Sequence, residues 1–224
     1  LDKDKDHLIA AREGLGNDPM LMVDVGAIWG NNIPAALERV DILKEAKVTL
    51  QEINAVAISK GPGSYTGLRI GVSAAKGLCF SSDIPLISLE TLTSLSHSIS
   101  IEKGLIVPML DARRMEVYSA VYDKNHQQIR EIKAEIIDAL SFKEYLEKHK
   151  VYFLGDGAKK CKEFITHKNA IFIENKFPSA KEMAKLSYDK YKKNDIEDVA
   201  YFEPFYLKNF IAVPQKKLKG IIKN

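Results

Sequence analysis

The sequence predicts an α/β protein made of two small tandem lobes, residues 1–104 and 105–224, with mixed sheets flanked by helices. Three observations predict it. Short apolar runs that suit buried strands alternate along the chain with stretches of helical periodicity. The alternation breaks once, near Ser100 to Gly104, and then begins again. The chain is also long enough for such cores: 224 residues, 46% hydrophobic and 28% charged.

Residues 1–46 open the first lobe. Asp6 to Gly14 reads as a helix, and Met20 to Asp24 as a buried strand ending in a carboxylate. Ile33 to Ala46 is an amphipathic helix, with Asn31 or Asn32 as cap and Pro34 in its first turn. Thr49 to Ile53 leads into the central stretch, Asn54 to Phe80. There Ala55 to Ser59 is a short strand, broken at Gly61-Pro62-Gly63 because glycine permits positive φ and proline cannot continue a ladder. Ser64 or Thr66 then caps a helix.

At about 100° per residue, Gly67, Gly71, Ala74 and Leu78 of this helix form one stripe, and Leu68, Val72, Ala75 and Cys79 widen the apolar arc. Only Arg69, Ser73 and Lys76 remain as a polar strip. Such a helix has two surfaces to bury, its own sheet and something else. Gly67, Leu68, Gly71, Val72, Ala74, Ala75 and Leu78 are therefore the predicted protein–protein interface.

Further on, Ile84 to Ser88 reads as a strand and Glu90 to Ser100 as a helix capped near Ser88 or Thr91, with His97 as a surface or capping residue. Leu105 to Leu110, Met115 to Tyr122 and Gln128 to Glu135 read as strands, the last two joined by a turn at Asp123-Lys124-Asn125. Phe142 to Lys150 reads as a helix, Val151 to Leu154 as a strand closed by Gly155-Asp156-Gly157, and Ala158 to Thr166 as a helix. Ser179 to Lys192 is an amphipathic helix with Met183, Leu186 and Tyr191 inward, and the lysine-rich end from Lys216 reads as frayed.

Composition narrows the function. A net charge of +3 and a pI near 8.6 are too mild to argue nucleic-acid binding alone. Two cysteines, Cys79 and Cys161, in helical contexts fit buried thiols in a reducing compartment. With no long apolar run and no charged-apolar-small opening, a soluble cytoplasmic protein with no membrane contact is expected.

The glycine turn departs from the nucleotide loops it could imitate. A Walker loop ends in Gly-Lys-Ser/Thr, whereas Gly67 is followed by Leu68 and Arg69. A dinucleotide fingerprint is GxGxxG, whereas Gly61, Gly63 and Gly67 are spaced GxGxxxG. The residues favour a tight turn with close helix packing. His7, His97, His126, His149 and His167 include no pair at i, i+4, so neither HExxH nor a paired-histidine metal site is expected. Ser64 has no GxSxG setting. No catalytic residue and no metal ligand is assigned. Arg113 and Arg114, with Asp111, could hold an acidic partner or a phosphate, or Asp111 could pair across the lobes with Arg69 or with Arg113.

GPGSYTGLRIGVSAAKGLCF, IPLISLETLTSL, DARRMEVYSAVY, Gly155-Asp156-Gly157 and Glu203 to Lys208 together resemble the bacterial TsaB family, over residues 47–213. The resemblance implies two lobes of the actin-like ATPase type. It implies a non-catalytic subunit that pairs with a TsaD-type catalytic subunit, with a TsaE-type ATPase joining, in the transfer of threonylcarbamoyl to the adenosine beside the anticodon of tRNA. ATP and magnesium would belong to the wider complex, none being held by this chain, and the chain alone would be a homodimer. Family members have been labelled glycopeptidases, and nothing in these residues supports a protease. The alternative is a small actin-like ATPase or kinase with its own nucleotide site, in which Asp24-Val25-Gly26 imitates the phosphate loop. Residues 1–46 depart from the family's three-strand opening and instead resemble a helix–strand–helix segment of the enolase superfamily, where Asp24 would be a strand-end magnesium ligand. No matching barrel follows.

Overall fold

The computed structural model describes residues 8–11, 20–23, 43 and 47–208. Two sheets organise them. The first has the order β1-β2-β3-β4, from Leu8–Ala11, Met20–Val23, Ala55–Gly61 and Leu86–Glu90. β1 is antiparallel to β2, while β2, β3 and β4 run parallel. The helices α1 (Tyr65–Ser82) and α2 (Thr91–Ser96) follow β3 and β4.

Central position explains the composition of β3. A strand covered on both faces carries a near-continuous apolar run, and six of its seven residues are buried. Val56 and Ile58 pack with Leu68, Val72, Ala75 and Cys79 of α1 on one face. Ala55 and Ala57 meet Ala180 and Met183 of a helix from the far end of the chain on the other.

The second sheet has the order β7-β6-β5-β8-β9. Its strands are β5 (Leu105–Asp111), β6 (Glu116–Tyr122), β7 (Gln128–Ile136), β8 (Val151–Leu154) and β9 (Ala170–Ile173). β5, β6 and β7 are antiparallel neighbours, and β8 and β9 run parallel to β5. Leu105, Val107 and Met109 pack under α3 (Lys143–Leu146) and α4 (Ala158–Cys161). The opposite face, with Ile106 and Leu110, packs on Leu92 and Leu95 of α2, so α2 is the joint between the sheets.

Four expectations need correction. Leu8–Ala11 is a strand, so the helix expected over 6–14 is absent and the enolase-like helix–strand–helix reading fails at its first element. The remaining expectations for 1–46, namely the helix over 33–46, its caps and the roles of Asp24, fall outside the described residues apart from helical Leu43, and the end from Lys216 lies outside them too. Second, α5 (Ala180–Lys192) packs on the first sheet, so residues 105–224 do not form one lobe. Third, the helices expected over 142–150 and 158–166 are single turns. Phe142 enters α3 at φ 62 and packs edge-on against Phe153, 5.4 Å away between ring centroids, which commits to burial a residue the helix would have used. Fourth, α2 stops at Ser96, and its N-cap is Glu90 with no side-chain capping bond. The edge strand β9 falls in a stretch for which the sequence pattern gives no strand.

Candidate functional site

The glycine turn, the start of β6 and the strap 200–208 meet in a cleft between the two sheets. Local chemistry places each part. Ser64 caps α1, accepting from the Gly67 N–H at 3.4 Å. Gly61 takes φ 118, and a Cβ there would lie 2.8 Å from the Phe205 carbonyl, so the strap reaches β3 only over a glycine. The strap is tied to the first sheet by Phe205 N–H donating to Lys60 O at 2.8 Å. Lys76 Nζ adds bonds to Ala200 O and Phe202 O at 3.1 and 2.9 Å. Lys208 ties the same segment to the second lobe by pairing with Glu116, its ammonium 5.5 Å from the Tyr118 ring centroid. Tyr206 lies against Tyr65 with centroids 4.8 Å apart.

At the second lobe, Lys160 Nζ donates to Asp111 Oδ1 at 2.6 Å and to the carbonyls of Arg114 and Glu116, both at 2.7 Å. The Arg113 N–H donates to the same Asp111 oxygen at 2.6 Å. Arg113 and Arg114 are exposed, in left-handed backbone at φ 70 and 53. Behind them, Asp156 Oδ1 accepts from the Asp111 N–H at 3.0 Å. Burial pushes the Asp156 carboxyl up, the Asp111 N–H pulls it down, and the Asp111 charge raises it. The cleft encloses ≈ 360 Å³, bounded by Ser64, Tyr65, Arg113, Tyr118, Tyr206 and Lys208 among others.

Asp111, Arg113 and Arg114 share the turn before β6, and Asp111 pairs with Lys160 rather than with Arg69 or the Arg113 side chain. Arg69 instead lies over Tyr65, 5.7 Å from its centroid. Lys160, Lys208, Tyr65 and Tyr206 are site residues that sequence reasoning misses. Lys160 follows the Gly155-Asp156-Gly157 turn by three positions, and Lys208 ends the Glu203 to Lys208 segment, which are the available signals.

The predicted interface is also changed. Gly67, Leu68, Gly71, Val72 and Ala75 are buried within the chain itself, and Ala74 and Leu78 are half-buried. Leu68, Val72 and Ala75 sit in the core with β3, and the second surface that α1 covers is largely intramolecular: Val48, Ile53, Leu50, Val199 and Phe202 pack there. The outward strip is Thr66, Arg69, Ile70, Ser73, Gly77 and Phe80. Ile70 is 39% and Phe80 85% exposed. A groove of ≈ 430 Å³ runs along Tyr65, Thr66, Arg69, Ile70 and Ser73.

Among the described residues, no group of three His, Cys, Asp or Glu side chains could hold a metal, and no helix is long and apolar enough to cross a membrane. His97 closes α2 and stacks on His126 of the β6–β7 turn, with centroids 4.0 Å apart.

Comparison with known proteins decides the family. The sequence matches the family described as "TsaD: tRNA N6-adenosine threonylcarbamoyltransferase" over residues 31–215. It is 30% identical over 191 residues to the tRNA threonylcarbamoyladenosine biosynthesis protein TsaB of Haemophilus influenzae, covering 80% of each chain. The chain belongs to the TsaB family. TsaB proteins are tRNA threonylcarbamoyladenosine biosynthesis proteins. The Escherichia coli TsaB is 28% identical over 190 residues, again 80% of each chain. The Bacillus subtilis TsaB is 37% identical over 91 residues, and that alignment spans about 40% of the relative's length. The fold agrees: the structure of YeaZ from Pseudomonas aeruginosa superposes with a TM-score of 0.73 at 20% identity, covering 84% of this chain and 99% of that one. The matched region begins at residue 31 and so takes in part of the stretch, 1–46, that was expected to depart from the family.

Proposed function

We propose that this TsaB-family chain is a non-catalytic subunit of the complex that transfers threonylcarbamoyl to tRNA adenosine. It acts by pairing with a TsaD-type catalytic subunit through the outward strip of α1. A TsaE-type ATPase joins the complex, and ATP and magnesium are held there and not by this chain. In this reading the two lobes are a reduced pair of the actin-like ATPase kind, and two copies pair through the same strip when the catalytic subunit is absent.

The observation that carries the reading is the strip itself. Ile70 and Phe80 expose apolar surface on a long helix beside a groove, while Ser73 and Gly77 between them offer little bulk. Burial of an Ile or Phe side chain is worth about 1.5–3 kcal/mol, roughly tenfold or more in affinity. The double variant Ile70→Glu/Phe80→Glu is expected to stay folded by circular dichroism, since neither side chain is in the core, and to lose capture of the TsaD-type subunit in a pull-down. Lys148→Ala, an exposed lysine on the other lobe, should not change capture. Capture of the catalytic subunit at parental strength by the double variant removes α1 as the interface.

A further inference from the structure

We propose that the cleft between the sheets binds an unpaired nucleotide of RNA, with Arg69, Arg113 and Arg114 meeting the phosphates and Tyr65 and Tyr206 the base. The proposal deepens the reading above and rests on it for the identity of the RNA.

Charge is the first argument. The carboxylates beside the arginine turn are engaged inside the protein, Asp111 by Lys160 and Glu116 by Lys208, while Glu203 stands near Tyr206 on the strap. These two pairings take Asp111 and Glu116 away from the neighbouring arginine side chains. Arg113 and Arg114 come from the second lobe and Arg69 from the first, and none has an ion pair among the described residues. An arginine fork is the donor that suits phosphate.

Backbone geometry is the second. Two successive non-glycine residues in left-handed backbone cost free energy, and such positions persist where the surroundings over-determine them. Here the Asp111 carboxylate holds the Arg113 N–H and Lys160 holds the Arg114 carbonyl, so the turn is clamped with Arg113 lining the cleft and Arg114 exposed next to it.

Shape and chemistry select the ligand. Bases stack on aromatic rings, and Tyr65 and Tyr206, far apart in the sequence, supply these beside a ≈ 360 Å³ space. The cleft shares Tyr65 and Thr66 with the groove on the outer side of α1, which passes Arg69. Two adjoining spaces joined along arginines and rings fit a strand that continues beyond one nucleotide better than a free mononucleotide. The strand would leave the cleft towards the strip assigned to the catalytic subunit.

The test is a fluorescence-anisotropy titration of the full chain with an unmodified tRNA transcript, across a salt series. Arg113→Gly/Arg114→Gly removes both cations and relieves both positive φ angles, so the variant should melt no lower than the parent. Its affinity is expected to fall by about tenfold or more, and the slope of log K against log salt to shrink by about 0.7 for each phosphate no longer neutralised. Tyr206→Ala should weaken binding by about tenfold with the slope kept, and Tyr206→Phe should restore it. The proposal is overturned if the parent does not bind the transcript at low ionic strength. It is equally overturned if the double glycine variant keeps the parental affinity and slope, or if ATP with magnesium occupies the cleft and the transcript does not displace it. Partner capture is read separately: Ile70→Glu/Phe80→Glu losing the catalytic subunit leaves the interface standing whatever the RNA titration gives.

Discussion

Asp156 shows how one residue couples the two parts of the cleft. Its carboxylate accepts from the Asp111 N–H, and Gly155 beside it, at φ 102, has Met109 O 2.1 Å from where a Cβ would be. The glycine lets the turn press against β5, and the close approach buries the acid. Because burial raises its pKa in the folded protein above the usual 3.8, the protonated form is favoured by folding. Its contribution is therefore complete below 3.8 and is lost as the pH rises through the raised folded value. Asp156→Asn keeps an acceptor for Asp111 without the charge. It is expected to melt higher than the parent at neutral pH and to show no gain below pH 3.8, as followed by thermal melts across a pH series. Gly155-Asp156-Gly157 was legible in the sequence as a turn. That its aspartate is a buried brace for Asp111 was not, because the partner stands 45 residues away.

At the scale of the element, α1 is the instructive case. Its length, its cap and its wide apolar arc were readable from spacing, and Ser64 does cap it. Which part of the arc remains exposed was not readable, since residues around 48–53 and 199–202 return to cover one flank. Leu68 therefore belongs to the core, at 1% exposed. Leu68→Ala should destabilise by about 2–5 kcal/mol through lost burial and a cavity, measured by urea denaturation. Gly71, buried as well, is expected to lose stability on substitution by leucine, so Gly71→Leu reports on folding and not on partner binding.

At the scale of the whole molecule, α2 and the strap hold the lobes together. The stack of His97 on His126 adds a titratable contact between them. Burial holds the His126 imidazole below the usual 6.5, and the charge of His97 lowers it further against the opposite pull of Asp123. A base with a depressed folded pKa favours its neutral form in the folded state. Its stabilisation is present above 6.5 and is lost as the pH falls below that value. His126 stands at φ 61, which asparagine also tolerates. His126→Asn is expected to flatten the fall in melting temperature that the parent shows as the pH drops below 6.5.

Sequence by itself determined the alternation of strands and helices, the two-sheet plan and the family, because these rest on local periodicity, turn chemistry and a motif contained in one stretch. A capping serine at 64 and the apolar run of β3, with its β-branched pair Val56 and Ile58, act within a few residues of themselves. Only the tertiary structure decided that α5 packs on the first sheet, that Lys160 and not Arg69 answers Asp111, and that Tyr206 meets Tyr65. Each of these contacts joins residues far apart in the chain. Local propensity carries no information about them, and they are fixed only when both cores are packed and the strap has closed over the cleft.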